Sequence, residues 1–285
     1  MKNKIIDSIQ KQLYKLTNKN FSKKYIKIYI LPIIEYICFS KSNKFLISGA
    51  QGIGKSTLLK VLERNIEIFY NKKVLTISLD DYYLSKIKRK KLSKKIHPLL
   101  ITRGVPGTHN IAELRKAIKS FDKNNFPLNL PIFNKIKDDV SKKNRKIKCK
   151  KDILLLEGWC CGSPPLTKNY LYKNINKLEK IKDKKLIWRQ YYNELLNNDY
   201  KKIIESFDKI IFLKAPSFKY ILNWRSRQEK MMKLKNQKII EKKEIKEFIS
   251  HFEKITKWMM KTLTYKADMV IHINNLQKIN KINYN

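Results

Sequence analysis

Phe45-Leu46-Ile47-Ser48-Gly49-Ala50-Gln51-Gly52-Ile53-Gly54-Lys55-Ser56-Thr57 decides how the rest of this chain is read. An apolar run stops at Gly49, the spacing that follows fits G-x-x-x-x-G-K-[ST] without a mismatch, and Leu58, Leu59, Val61 and Leu62 recur at helical intervals. Strand, glycine-rich loop and helix in that order give the pattern a mechanism. The glycines open backbone angles closed to other residues. Successive N–H groups can then turn inward at the positive end of a helix dipole, as a cradle for a polyphosphate. The expected phosphate-binding set is Gly49, Gln51, Gly52, Ile53, Gly54, Lys55, Ser56 and Thr57. Lys55 is expected to reach the β- and γ-phosphates, and the Ser56 hydroxyl to hold Mg2+.

Downstream, residues 73–79 read as a buried strand that runs into Asp80-Asp81-Tyr82-Tyr83. Ligands of open parallel sheets sit at the carboxyl ends of the strands. An acid there can orient an attacking hydroxyl and take its proton. Neighbouring residues on a strand face opposite ways, so one of the two acids is expected to act. That one is Asp80, with Asp81 as a helix N-cap. Residues 152–158 form a second apolar strand ending in Glu157-Gly158. Glu157 is expected to hold Mg2+ through water or to position the nucleophile.

The loop Thr102-Arg103-Gly104-Val105-Pro106-Gly107-Thr108-His109-Asn110 is shaped and polar. Arg103 can grip a carboxylate or phosphate through its planar fork, and His109 can hydrogen-bond a substrate. The competing reading is an ordinary turn, with Asn110 and Glu113 capping the next helix. Arg225, in a helix expected to start near residue 217, can close over the transferring phosphate as a lid arginine, or pair with surface acids along its helix. The candidate catalytic residues are thus Asp80, Lys55, Glu157 and Arg225. The acceptor-side candidates are Asp80, Tyr82, Arg103, Thr108 and His109, and the metal-binding ones Ser56 and Glu157.

Further strands are expected at 208–214 and 267–273, with an extended segment at 126–135 and a charged flap at 138–151. Five apolar strands alternating with helices predict an α/β fold: a five-stranded, mostly parallel sheet with right-handed crossovers, flanked by helices. The stripe Trp188, Tyr191, Tyr192, Leu195, Leu196 reads as core. His251 is expected on the polar side of a helix over 241–263. Residues 1–42 are expected as a helical extension, 43–275 as the nucleotide-binding domain, and 276–285 as a frayed tail.

The formal charge is +40, yet only eight of the 64 basic residues are Arg. The lysines are spread over every segment. Nucleic-acid readers favour clustered arginine, so this charge reads as compositional drift on solvated faces, and a nucleic-acid partner is not expected. No apolar run reaches the length of a membrane span. The lysine-rich start lacks an apolar core followed by a cleavage site, so the cytoplasm is the expected compartment. Cys38, Cys149, Cys160 and Cys161 have no metal-ligand spacing and are expected as free thiols.

The phosphate loop, Ser78-Leu79-Asp80-Asp81-Tyr82-Tyr83, Arg103-Gly104-Val105-Pro106-Gly107-Thr108-His109 and Leu154-Leu155-Leu156-Glu157-Gly158-Trp159 together resemble the uridine kinase/phosphoribulokinase/pantothenate kinase superfamily of P-loop NTPase folds. The loop at 103–109 and Trp224-Arg225-x-x-Gln228-Glu229 resemble its D-glycerate 3-kinase branch. That resemblance implies sheet order 2-3-1-4-5, and ATP- and Mg2+-dependent phosphorylation of D-glycerate to 3-phosphoglycerate. Two positions depart from the family pattern: Asn110, where Asp is usual, and Phe133-Asn134-Lys135, where Tyr-Asp-Lys is usual. A capping role survives loss of the charge, whereas a base or metal role does not. Other acceptors (pantothenate or a nucleoside), a nucleotide-switched nucleic-acid-binding module, and a relic that binds ATP without an acceptor are the alternatives.

Overall fold

Six strands form the central sheet: β1 (Lys44–Gly49), β2 (Val74–Ser78), β3 (Ile153–Gly158), β4 (Lys209–Lys214), β5 (Met269–Ile273) and β6 (Ile279–Tyr284). The structure, a computed structural model, describes residues 2–236 and 242–285, and the side chains among them except those of 228–243. The strand order is β2-β3-β1-β4-β5-β6, parallel throughout except for the β5–β6 pair. The expected order of the five parallel strands is therefore met, and a sixth strand is added at one edge.

Continuous apolar runs make these strands because both faces of the sheet are covered. Alternation sends Phe45 and Ile47 of β1 into one core and Leu46 into the other. Ile153 and Leu155 of β3 likewise oppose Leu154 and Leu156. The first core is closed by α1 (Lys2–Thr17), α2 (Leu31–Phe39) and α3 (Lys55–Tyr70). Pro32 lies in the first turn of α2, directly after a wide helical turn at Ile26–Ile30. A proline has no N–H to give the preceding turn, which is a physical reason for the widening.

The second core lies under α4 (Lys86–Lys95), α5 (Ile111–Asp122), α6 (Ile187–Leu195) and the long helix Lys242–Lys266, with α7 (Phe218–Asn236) preceding the latter in the chain. Trp188 and Tyr192 of the aromatic stripe are buried in it, as expected. The helical segment around α6 is fastened by buried charge. Arg189 lies 2.7 Å from Asp183 and 3.5 Å from Glu179, and Lys254 lies 3.2 Å from Glu179. Charges removed from water survive only when paired in this way.

Two expectations about the fold fail. The frayed tail is strand β6: Tyr25 Oη accepts from the Ile279 N–H at 2.7 Å, and Tyr29 Oη donates to the Asn280 carbonyl at 3.1 Å. The N-terminal helices thus supply partners that the tail lacks alone. His251 is buried, edge-on to Trp188, with Nδ1 3.0 Å from the Glu247 carbonyl. The helix backbone satisfies it without an acidic partner.

Candidate active site

β1 ends at Gly49, and the chain turns through 50–54 into α3. Gly54 immediately precedes α3 with φ 110°, and Gly52 has φ 74°. Only glycine adopts such angles without strain. A Cβ on Gly52 would also come within 3.3 Å of Trp224 Cβ and 3.5 Å of the Arg225 nitrogen. The loop is therefore braced from behind by α7, and Gln277 Nε2 donates to the Gly52 carbonyl at 2.6 Å from the β5–β6 turn. Gly54 contributes no side-chain cap to α3, so the first amides of that helix have no side-chain acceptor from their cap residue, the arrangement that suits a phosphate. The Lys55 ammonium donates to the carbonyls of Gly49 (2.8 Å) and Ala50 (3.1 Å).

β3 lies beside β1, and Glu157 is in register with Ile47 on one side and Ser78 on the other. Glu157 Oε1 accepts from Ser56 Oγ at 3.1 Å and from Ser78 Oγ at 2.8 Å, in a buried position. Hydroxyl and carboxylate oxygens are the hard donors that suit Mg2+, which keeps most of its shell for water and phosphate. Among the described residues no group of three or more His, Cys, Asp and Glu can hold a metal by itself. A site completed by nucleotide phosphates is what this donor set fits. Ser56 and Glu157, separated by 101 positions, are brought together.

β2 stops at Ser78, and Leu79–Tyr82 form a 3-10 turn. The two acids are therefore not alternate residues of a strand. In a 3-10 turn successive side chains rotate by about a third of a circle. Asp80 accepts from Lys135 Nζ (2.6 Å) and from Tyr83 Oη (2.8 Å). Burial raises its pKa, but the charge and hydrogen bond of Lys135, the bond from Tyr83 and the charge of Lys55 outweigh this and hold the carboxyl well below the usual range. Asp81 is not the expected helix cap: its carboxylate accepts from the Phe133 N–H at 3.2 Å, and burial raises its pKa. Tyr82 packs in the core, its buried hydroxyl without a partner among the described residues, and does not join the other acceptor-side candidates. Tyr83 is the tyrosine that meets Asp80.

The loop over 102–110 closes on itself. Thr108 is fully buried: its hydroxyl donates to the Val105 carbonyl (2.7 Å) and accepts from the Gly104 N–H (2.9 Å). It therefore shapes the loop and has no surface for a ligand. Asn110 caps α5, with Oδ1 accepting from the Glu113 N–H at 3.4 Å and Nδ2 donating to Glu113 Oε2 at 2.7 Å. His109 is buried against Tyr83, ring centroids 4.6 Å apart, and burial brings its pKa down to about 3 despite Asp80 nearby. Arg103 pairs with Asp138 and lies over the Phe133 ring at 5.6 Å.

The charged flap is docked rather than free-standing. Residues 133–134 pair with 139–140, and 128–130 with 145–147. Arg89 of α4, almost fully buried, donates to the carbonyls of Leu84, Ile101 and Asp138 and lies 2.9 Å from the Asp138 carboxylate. The hairpin so held carries Lys135 to Asp80. Asn134 Oδ1 accepts from the N–H groups of Ile136 and Lys137, both at 3.0 Å, and makes the turn. Arg225 lies with its guanidinium 5.4 Å over the Phe248 ring; Gln228 and Glu229 lie outside the described side chains. Cys160 and Cys161 are free and buried after β3, and burial pushes the Cys160 thiol up to about 12 and raises the Cys161 thiol well above its usual value, which disfavours the thiolate. Tyr83 and Lys135 stand inside quoted stretches of the sequence without an assigned role, and no sequence signal points to Arg89.

Fold and loop together define a P-loop protein of the α/β class. No family model matches the chain. It is 28% identical over 243 residues to the uncharacterized kinase mug58 of Schizosaccharomyces pombe, covering 80% of this chain and 83% of that protein. It is 26% identical over 231 residues to the chloroplastic D-glycerate 3-kinase of Arabidopsis thaliana, covering 76% of this chain but only 47% of that protein. The solved D-glycerate 3-kinase of Cryptococcus neoformans superposes with a TM-score of 0.71 over 100% of this chain and 99% of that one, at 22% identity, a likeness of fold. The chain thus resembles D-glycerate 3-kinase and related P-loop kinases, and what these relatives support is a kinase, with the ATP use that P-loop kinases imply. Among the described residues no helix is long and apolar enough to cross a membrane.

Proposed function

We propose that the chain transfers the γ-phosphoryl group of ATP to a hydroxyl of a small anionic acceptor, D-glycerate, giving 3-phosphoglycerate and ADP. The observation that carries this reading is the position of Asp80. Its carboxylate stands just beyond β2, paired with Lys135, on the same sheet rim as the phosphate loop and the Ser56–Glu157 pair. The amides of 49–57 and the ammonium of Lys55 would hold the triphosphate. Ser56 and Glu157 would hold Mg2+, which supplies neutralising charge to the phosphate oxygens. Asp80 would accept a hydrogen bond from the acceptor hydroxyl and aim its oxygen along the line of the leaving ADP. The new O–P bond forms as the γ-phosphorus parts from the bridging oxygen, and the hydroxyl proton passes to Asp80. A carboxylate held so acidic is a weak base, so its main work is orientation and proton transfer comes late. Arg225, whose helix backs the loop through Trp224, would close over the transferring group. Lys135 and Arg103, each already paired with an acid, would offer N–H donors at this end of the site to an acceptor that carries a carboxylate.

The test is ADP release by pure protein over a panel of D-glycerate, L-glycerate, pantothenate and nucleosides, with the product identified. D-glycerate-dependent release of 3-phosphoglycerate is expected. Turnover only with a nucleoside or pantothenate would move the acceptor, and no acceptor-dependent turnover would remove the reading.

A further inference from the structure

Tyr200 ends a wide helical turn, Leu196–Tyr200, at the end of the segment that carries α6. Such turns within helices re-aim side chains and recur at functional sites. The Tyr200 side chain is buried and reaches the loop 91 positions away, with its hydroxyl 2.5 Å from His109 Nδ1. The same oxygen accepts from the Gly107 N–H at 3.3 Å.

A phenol has one proton to donate and accepts through its oxygen. The Gly107 amide is itself a donor and cannot take the phenolic proton. The other partner of this hydroxyl among the described residues is His109 Nδ1, so the phenolic proton goes there. Nδ1 is then the acceptor nitrogen, and the ring proton of a neutral imidazole lies on Nε2. Burial keeps the ring neutral. The imidazole is clamped flat on Tyr83, whose own hydroxyl is committed to Asp80, and edge-on to Tyr200. Among the described residues Nε2 makes no hydrogen bond, and it is not among the fully enclosed polar atoms left without a partner.

We infer that Tyr200 is a positioning residue that locks His109 as the Nε2–H tautomer, so that the imidazole offers a fixed neutral donor to an oxygen of the acceptor beside Asp80. This rests on the kinase reading above. It deepens that reading by dividing the work: Asp80 takes the hydroxyl that will be phosphorylated, and His109 donates to a second oxygen of the same molecule. A neutral donor discriminates for an oxygen acceptor at that point without adding charge.

The test reads the ring nitrogens directly. The chain has four histidines. Long-range 1H–15N correlation on the uniformly labelled, full-length wild-type protein separates protonated from bare ring nitrogens, and the His109→Gln variant assigns the signal. His109 is expected to show a bare Nδ1 and a protonated Nε2, and addition of D-glycerate with a non-hydrolysable ATP analogue is expected to move the Nε2 signal. Tyr200→Phe is expected to mix the two tautomers. It should raise the KM for D-glycerate about three- to tenfold, the worth of one neutral hydrogen bond, with KM for ATP unchanged. A wild-type His109 protonated on Nδ1, or on both nitrogens, would overturn the lock even if Tyr200→Phe does not fold. An Nε2 signal unmoved by D-glycerate in a protein that phosphorylates it would overturn the donor role. Absence of D-glycerate turnover would fall instead on the choice of acceptor, and the wild-type spectrum would still decide the tautomer.

Discussion

Lys135 Nζ lies 2.6 Å from Asp80 Oδ2, across 55 positions of sequence. The lysine comes from a hairpin pinned by Arg89 and Arg103 through Asp138, and the acid from the turn after β2. The pair sets both the charge state of the candidate base and the field that an acceptor meets.

Lys135→Met removes a charge-assisted hydrogen bond, an interaction worth about 1.5–3 kcal/mol. kcat/KM for the acceptor is expected to fall roughly ten- to a hundredfold on that scale, with KM for ATP little changed. Because folded Asp80 is more acidic than an unfolded aspartate, its ionisation contributes stability above the usual carboxylate range. That contribution fades as the pH falls through this range towards the folded value. The variant loses the contribution, and the acid limb of its pH–rate profile moves to higher pH. A profile identical to wild type would break the link between the two residues.

Asp80→Asn keeps the size of the side chain and its bond to Tyr83 while removing the proton acceptor. kcat is expected to drop by about 10²- to 10⁴-fold, the range of general-base losses. Nucleotide affinity, measured by calorimetry, is expected to stay near wild type because the phosphate loop is untouched. A kcat within twofold of wild type would assign orientation of the hydroxyl to another group.

Glu157→Gln leaves a group that still accepts from Ser56 and Ser78 but carries no charge. The Mg2+ concentration for half-maximal rate is expected to rise by about tenfold or more, in the range seen when a metal's supporting carboxylate is lost. Mg2+ titration at saturating ATP reads this. An unchanged midpoint would leave Glu157 as a structural acceptor for the two serines.

Two glycines separate function from packing. At Gly52 a Cβ meets Trp224 at 3.3 Å with φ at 74°, so Gly52→Ala is expected to weaken nucleotide binding by distorting the loop. At Gly104 a Cβ would stand 2.1 Å from Phe252 Cε1. Gly104→Ala is therefore expected to destabilise the fold by about 1–3 kcal/mol through overpacking, seen as a lower Tm. Equal effects of both on Tm, with no effect on ATP affinity, would contradict this division.

Asn110→Asp and Asn134→Asp restore the residues usual in the resembling family. Both asparagines act through Oδ1 on neighbouring backbone amides, and Asn110 also donates to Glu113. An aspartate at 110 would face the Glu113 carboxylate. No gain in turnover is expected from either change. A large gain would mark the present residues as losses of catalytic groups.

The residues at 45–57 settled by themselves that a strand, a phosphate loop and a helix follow one another, because the apolar run, the glycine spacing and the helical periodicity all lie within neighbouring residues. Unbroken apolar runs settled the parallel strands, because a strand covered on both faces must be apolar on both. Glu157 stood out in the sequence because it ends an apolar run downstream of a phosphate loop. The remaining features needed the chain folded on itself. Asp81 lost the expected helix-cap role because a 3-10 turn, rather than a strand end, carries the two acids and turns its carboxylate to the Phe133 amide. β6 exists because Tyr25 and Tyr29, more than 250 positions earlier, cover an edge that its own polar sequence cannot bury. Lys135 and Tyr200 meet Asp80 and His109 across 55 and 91 positions, and no spacing rule encodes such distances. Those meetings depend on how the hairpin and the helical segment dock, which is a property of packed surfaces and not of any run of residues.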